Sequence, residues 1–224
     1  MKHKIIITII LFLFSYLYIK NSIYFLKNSD KLMQIIKNNQ DKYNTIPVNA
    51  IITKNTIIPG IVGKKVNINK SYNKMKSINK FNESLLVFDE IKPLKSINNY
   101  YDKVIVSGNK RFNKISIIIN SKDYENEIKK ISIINNTNLD INNDDYCFTD
   151  TLYINKDCLI NKKHTILTKV IDNYHLTKTK EILQNGVIIN YRFNEKNYSE
   201  LNLIIKYIKN NNYQIVPIKE LIKE

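Results

Sequence analysis

Tryptophan is absent from this chain, alanine occurs once (Ala50), and glycine is scarce. Isoleucine, lysine and asparagine dominate instead. AT-rich coding produces a slant of this kind, so the formal net charge of +15 reflects mutation pressure as well as selection. Arginine is nearly missing: Arg111 and Arg192 are the only two. The lysines stand singly among asparagine and isoleucine. There is no Arg-rich block and no interleaved basic–aromatic motif, so nucleic acid is not an expected partner. A basic surface can attract anionic lipid or an acidic wall polymer, but a solvated surface is the default reading of such scattered lysines.

The N-terminus also lacks processing signals. Met1–Lys4 is a short positive head, and Ile5–Ile19 (IIITIILFLFSYLYI) has no charge and almost no polar group. No small-x-small cleavage site and no lipobox cysteine follows, so an uncleaved signal anchor is expected over residues 1–27. As a helix, Ile5–Ile19 spans roughly 22 Å, short of a full bilayer crossing. Ile23–Leu26 would extend the apolar length if Lys20 snorkels, with Tyr16 and Tyr18 at the interface. The expected location is the cell membrane, single-pass, with the body outside the cytoplasm. Residues 28–44 then read as a juxtamembrane helix. Leu32, Ile35 and Ile36 share one face, and Ser29 or Asp30 can cap it.

At 224 residues the chain can hold one ordinary domain or two small ones. Between 45 and 110, short apolar pieces alternate with turn residues such as Pro59-Gly60 and Ser107-Gly108-Asn109, which reads as a β-rich membrane-proximal module. Val104–Val106 and Ile115–Ile119 are expected to form a hairpin with a long loop. Ile115–Ile119 is a β-branched run, too short for a good helix, and reads as a buried strand. Glu125–Lys130 reads as a short helix and Ile131–Ile134 as a second strand. Thr165–Ile171 is a further strand candidate, and Leu176–Leu183 is helical, closed by Asn185-Gly186. At the end, Val187–Ile189, Tyr198–Asn210 and Tyr213–Val216 form a βαβ crossover, with Leu201, Ile204, Ile205 and Ile208 on one helix face. Such a crossover implies neighbouring parallel strands.

Three segments then carry a family likeness. They are IPVNAIITKNTIIPGIVGKKVNINKS (Ile46–Ser71), FNESLLVFDEIKP (Phe81–Pro93) and NYYDKVIVSGN (Asn99–Asn109). They resemble the membrane-proximal region of membrane-anchored polysaccharide-deacetylase-like proteins of low-GC Gram-positive bacteria. The segment KISIIIN resembles the opening of a carbohydrate esterase domain of the NodB-homology type. GVIINY and ELNLIIKYIKNNNYQIVPIKELI resemble its close. The implied fold is α/β: an N-terminal membrane helix, a small β-rich module, and over 111–224 a truncated, degenerate partial β/α barrel with a C-terminal βαβ unit.

The chemistry implied by the family is metal-assisted hydrolysis of an N-acetyl group. It needs an Asp-Asp motif after the first strand, a His-x-x-x-His pair for a divalent metal, and a late histidine as acid. This chain has Ile119-Asn120-Ser121-Lys122 at the first place, with only Asp123 nearby. His-x-x-x-His occurs nowhere, and Asn190 falls about where the acid histidine would stand. The section between the second strand and the cysteines is short, as though the metal-bearing part were missing. The resemblance therefore implies an inactive relative with no expected cofactor, bound to the membrane and to envelope glycan or an anionic wall polymer. An active N-deacetylase would need a zinc-like ion and rearranged ligands drawn from Asp123, Asp144, Asp145, His164 and His175. A scaffold module without glycan affinity is the third reading.

Read by their own chemistry, those residues have simpler accounts. His164 and His175 are eleven apart, not at ligand spacing. Asp140-x-Asn142-x-Asp144 opens like a calcium loop but lacks the following Gly and the closing Glu, so it reads as a solvated loop. Asp123, Glu125 and Glu127 suit a helix N-terminus, where carboxylates complement the helix dipole. A catalytic pair of one cysteine with His164 would need that thiol reduced and lacks a third group. Cys147 and Cys158 are the only two cysteines, and outside the cell a disulfide between them is expected.

Overall fold

A computed structural model of the chain describes residues 2–172, 175–194 and 197–224. In chain order the first elements are helices α1 (Lys2–Ser29) and α2 (Lys31–Tyr43), then strands β1 (Ile51–Ile52), β2 (Thr56–Ile58) and β3 (Gly63–Val66). Helix α3 (Ile68–Met75) leads to β4 (Phe88–Ile91), β5 (Val104–Ile105) and β6 (Lys114–Ile119). Next come α4 (Glu125–Ile134), β7 (Asp140–Ile141), β8 (Cys147–Thr149), α5 (Lys156–Ile160), β9 (Thr165–Leu167) and β10 (Lys169–Ile171). The chain closes with α6 (His175–Ile182), β11 (Ile188–Tyr191), α7 (Tyr198–Asn210), β12 (Gln214–Ile215) and α8 (Ile218–Leu221).

Two compact units result: Met1–Ile46 with Gly63–Ile91, and Pro47–Val62 with Lys92–Glu224. The stretch 45–110 is thus divided between them. In the first unit β3 and β4 form an antiparallel pair. The Asp30 carboxylate caps α2 by accepting from the Leu32 and Met33 N–H groups, and it also accepts from the Tyr72 hydroxyl at 3.0 Å. Leu32, Met33 and Ile36 of α2 pack on Val66, Tyr72 and Met75. Among the described residues, no helix is long and apolar enough to cross a membrane. The transmembrane span expected over 1–27 is therefore unsupported there. Lys20, Asn21 and Ser22 interrupt the apolar run of α1.

The second unit holds two sheets. One has the order β1-β2-β5-β9-β8, and the other β10-β11-β6-β12, with β7 also on β6. All pairings except β1–β2 are parallel. Only Thr168 separates β9 from β10, so the chain runs on from one sheet into the other. Strand alternation gives β6 two faces. Ile115, Ile117 and Ile119 pack outward on Ile128 and Ile131 of α4 and on Leu201, Ile204, Ile205 and Ile208 of α7. Ile118 faces inward with Ile188, Ile57, Ile105, Ile166, and Ile218 and Leu221 of α8.

Three sequence expectations change. The hairpin of Val104–Val106 with Ile115–Ile119 does not form, because β5 pairs in parallel with β2 and β9 in the other sheet. Ile131–Ile134 is not a strand but the end of α4. Ile128 and Ile131 lie one helical turn apart and are both buried, so helix spacing outweighs β-branching. The second strand of the expected unit is β7 instead. The C-terminal βαβ strands are parallel but not neighbours, because β6 lies between β11 and β12. Gly186 (φ +78) makes the turn into β11. A Cβ there would meet the Gly108 carbonyl oxygen at 2.5 Å, so the close approach needs glycine.

Candidate functional site

In α/β sheets, ligands gather at the carboxyl ends of the parallel strands. In the second unit that end brings together Asn120 after β6, Asn142 after β7, Asp172 after β10, and Asn190 and Arg192 at the end of β11. Asn190 pairs in register with Ile118 and Val170, on the inward face of its strand. Asn120 and Arg192 are exposed, while Asp172 and Asn142 are half-buried.

Asn142 and Asp172 are held by their neighbours. Asn142 sits at φ +49, tolerated by asparagine, and its side-chain oxygen accepts from the Ser121 N–H at 2.9 Å. Its amide donates to Glu125 Oε2 at 3.1 Å. Hydrogen bonds from Lys129 and then Asn142 hold the Glu125 carboxyl below its usual range. Asp172 accepts from Lys178 at 2.8 Å. That bond comes first, and the charge of Arg192 adds to it, so Asp172 also lies below the usual carboxylate range. A carboxylate so paired is a poor proton acceptor near neutral pH.

Behind this mouth lies a second polar cluster. His175, at the start of α6, meets the Glu200 carboxylate of α7 through Nδ1. Its ring lies 4.9 Å from that of Tyr191. Asn197 is the hub of the turn. Its amide donates to the Arg192 carbonyl at 2.9 Å, and its oxygen accepts from the Asn194 N–H at 2.8 Å. The Tyr191 hydroxyl donates to the Asn197 carbonyl at 3.2 Å. Glu200 and Asn197 carry no sequence signal, because their contacts with His175 depend on how two βα turns meet.

The residues singled out from the sequence do not converge. Asp123, Asp144 and Asp145 are exposed. His164 is buried beside β9, stacked on Tyr101 with ring centroids 4.4 Å apart. Asp140 is no calcium ligand. It accepts from the Ser116 hydroxyl at 3.1 Å, from the Asn143 amide at 3.0 Å and from the Ile218 N–H, and so fixes α8 against β6 and β7. Among the described residues no three of His, Cys, Asp or Glu form a metal-holding group. The mouth does not suit a divalent metal: its side chains are amides, and the Asp172 carboxylate is neutralised by two cations. Cys147 and Cys158 are joined in a disulfide, and no cysteine is free.

The fold is that of CE4 family pseudoenzyme structures. Solved structures of the BA3943 protein of Bacillus anthracis, described as a CE4 family pseudoenzyme, match this chain at 17% sequence identity. The wild type has a TM-score of 0.60 and covers 88% of this chain and 96% of its own. One mutant has a TM-score of 0.61, covering 88% and 99%. A second mutant, described as having restored enzymatic activity, has a TM-score of 0.61, covering 87% and 99%. In sequence, the uncharacterized protein YlxY of Bacillus subtilis (strain 168) is 33% identical over 102 residues, 45% of this chain. The match spans 32% of that relative's length. No protein-family model matches the chain.

Proposed function

We propose that this chain is a catalytically inactive deacetylase-like protein that binds envelope glycan or serves in envelope assembly. The observation that carries the reading is the mouth of the second unit. Asn120-Ser121 stand where paired carboxylates would be needed, and Asp172 is held by Lys178 and Arg192. The side chains there supply neither a free carboxylate base nor a cluster of metal ligands, whereas amides, a guanidinium and a carboxylate suit hydrogen bonding to sugar hydroxyl and N-acetyl groups. Inactivity also fits the fold neighbours, which are described as pseudoenzymes.

Attachment to a membrane through residues 1–27, with the body outside the cytoplasm, belongs to the same reading. It is supported by the exposed apolar surface of α1 (Phe12, Phe14, Tyr16, Tyr18) and by the disulfide, which persists in oxidising surroundings. Cell-wall glycan or an anionic wall polymer is the partner, nucleic acid is not, and no metal cofactor is needed.

The test incubates the full chain with N-acetylated glycan and zinc, cobalt or manganese, with chelator as control. It also measures sedimentation with insoluble peptidoglycan. The expected result is no acetate release together with co-sedimentation. Chelator-sensitive release would establish an active N-deacetylase instead. Neither release nor co-sedimentation would leave a scaffold module.

A further inference from the structure

Charge is unevenly shared along the chain. The first unit, about a third of the residues, holds thirteen lysines and five carboxylates, a net of +8 out of the chain's +15. Within this unit the two signs are also sorted. Four of the five carboxylates, Asp41, Glu83, Asp89 and Glu90, lie toward the end of α2 that carries Tyr43. Asp41 accepts from the C-cap Asn44, and Glu83 accepts from the Tyr43 hydroxyl. Asp89 and Glu90 stand on β4 opposite Lys65 and Lys64 of β3, and Lys64 is bridged to Thr45 just past α2. Positive and negative groups are matched there.

The other end of α2 lies roughly 20 Å away along its 13 residues. There α1, α2 and α3 meet in an elbow. Lys27, in the last turn of α1, donates to the Asn73 side chain at 3.3 Å and stands over the Tyr72 ring at 5.1 Å. Lys31 opens α2, Lys74 lies in the last turn of α3 and Lys76 follows it, and all three are exposed. The one remaining carboxylate of the unit, Asp30, is committed here as the cap of α2 and as acceptor for Tyr72. Burial works against its charge, but the Tyr72 hydroxyl, the Met33 and Leu32 N–H groups and the charge of Lys76 hold its carboxyl below the usual range. Directly before this cationic collar, Tyr24, Phe25 and Leu26 of α1 are each about 70% exposed. An acidic soluble partner would account for the lysines and not for the apolar turn beside them. A bilayer surface meets both, with apolar side chains at the acyl boundary and ammonium groups at the phosphates.

We infer that the elbow of α1, α2 and α3 seats on the headgroups of an anionic phospholipid surface. Lys27, Lys31, Lys74 and Lys76 meet lipid phosphates, and Tyr24, Phe25 and Leu26 enter the boundary below them. This rests on membrane attachment through α1 and adds the class of lipid to it. The chain then holds the membrane by two signals, an apolar segment that is not by itself a full span and a basic collar.

The test measures partition of the full chain, diluted from detergent, onto vesicles of phosphatidylcholine and onto vesicles containing about one third phosphatidylglycerol. The anionic vesicles are expected to bind more tightly at low salt, and high salt should remove the difference. Lys31→Gln with Lys76→Gln should weaken anionic binding on the order of twentyfold, about fivefold per lysine, and leave neutral binding unchanged. Both side chains are exposed, so this variant removes charge and not packing. Lys64→Gln with Lys65→Gln makes the same charge change at the far end of α2 and should alter binding less than about twofold. If both double variants weaken binding alike, overall charge and not the elbow draws the lipid, and the proposal fails. If the two kinds of vesicle bind alike, the headgroup contact is refuted while attachment through α1 stands. If neither binds, the membrane reading fails as well. Binding to soluble polyphosphate that depends on Lys31 and Lys76, without preference between the vesicles, would put an anionic polymer in place of lipid and overturn the proposal.

Discussion

The two faces of β6 differ in kind. Outward, Ile115, Ile117 and Ile119 are all fully buried against two helices. Inward, the same strand passes from Ser116, hydrogen-bonded to Asp140, through Ile118 to the exposed Asn120. The outer face holds the fold and has no chemistry. The inner face is where chemistry would sit, and its polar groups have been turned to structural use or lie open to ligand. The faces are independent because alternation puts neighbouring residues on opposite sides. A strand can therefore lose its reactive groups without loosening its core.

The largest effect expected from this contrast is on the outer face. Ile117→Ala should cost about 2–5 kcal/mol, since it removes buried methyl groups and leaves a cavity. Ser116→Ala, one residue away, should cost about 1 kcal/mol, the worth of one hydrogen bond to Asp140. Chemical denaturation of both variants gives the comparison. Equal losses would mean that the inner face holds the fold as firmly as the outer.

The outer face was legible in the sequence. Alternation shows only at Ser116 in a run that is otherwise isoleucine, but β-branching marked Ile115–Ile119 as a buried strand, and the spacing of Leu201, Ile204, Ile205 and Ile208 marked α7. Both elements are present as read. The same β-branching misled at Ile131–Ile134, where helix burial of Ile128 and Ile131 decided the outcome. The inner face was legible only as an absence: Asn120 stands where a carboxylate was needed. What replaced the chemistry was not readable. The pairing of Asp172 with Lys178, of His175 with Glu200, and of Asp140 with Ser116 and Ile218 all arise from contacts between separate βα units. Asp140 in particular looked like loop material and is a buried staple, because its partner Ile218 lies 78 residues further on.

The middle of the inner face gives the next effect. Asp140→Ala should cost about 1–3 kcal/mol by leaving the Ile218 N–H and the Ser116 hydroxyl without an acceptor. Faster hydrogen exchange at Ile218 and Leu221 would show that α8 loosens first. A loss confined to global stability, with α8 exchange unchanged, would show that the staple is not local.

A smaller effect distinguishes the titratable second unit from its aliphatic core. Burial pushes the His164 pKa below its ordinary value of 6.5, and the charge of Glu224 only partly opposes this. In the folded chain His164 therefore stays neutral as pH falls through 6.5, while in the unfolded chain it binds a proton. Stability should decline from about pH 6.5 downward and level off below the folded pKa. Above neutral pH His164 contributes no slope. Midpoints measured between pH 5 and 8 should flatten in His164→Gln. An unchanged slope would place the pH dependence elsewhere.

The smallest effect tests whether the inner face can be refilled. Asn120→Asp with Ser121→Asp restores a carboxylate pair at the end of β6. Asn120 is exposed and Ser121 half-buried, with only its backbone N–H bonded to Asn142, so stability should move by about 0.5 kcal/mol. Acetate release should remain absent with zinc, cobalt or manganese. Two carboxylates alone make a poor metal site, and Lys178 and Arg192 place positive charge where the ion would bind. The mutant of BA3943 with restored activity shows that one protein of this fold can regain function. The sequence has no His-x-x-x-His pair to supply the remaining ligands. Chelator-sensitive acetate release from the double variant would mean that other groups at the mouth complete a metal site. In that case the inner face would be separated from activity by those two residues alone.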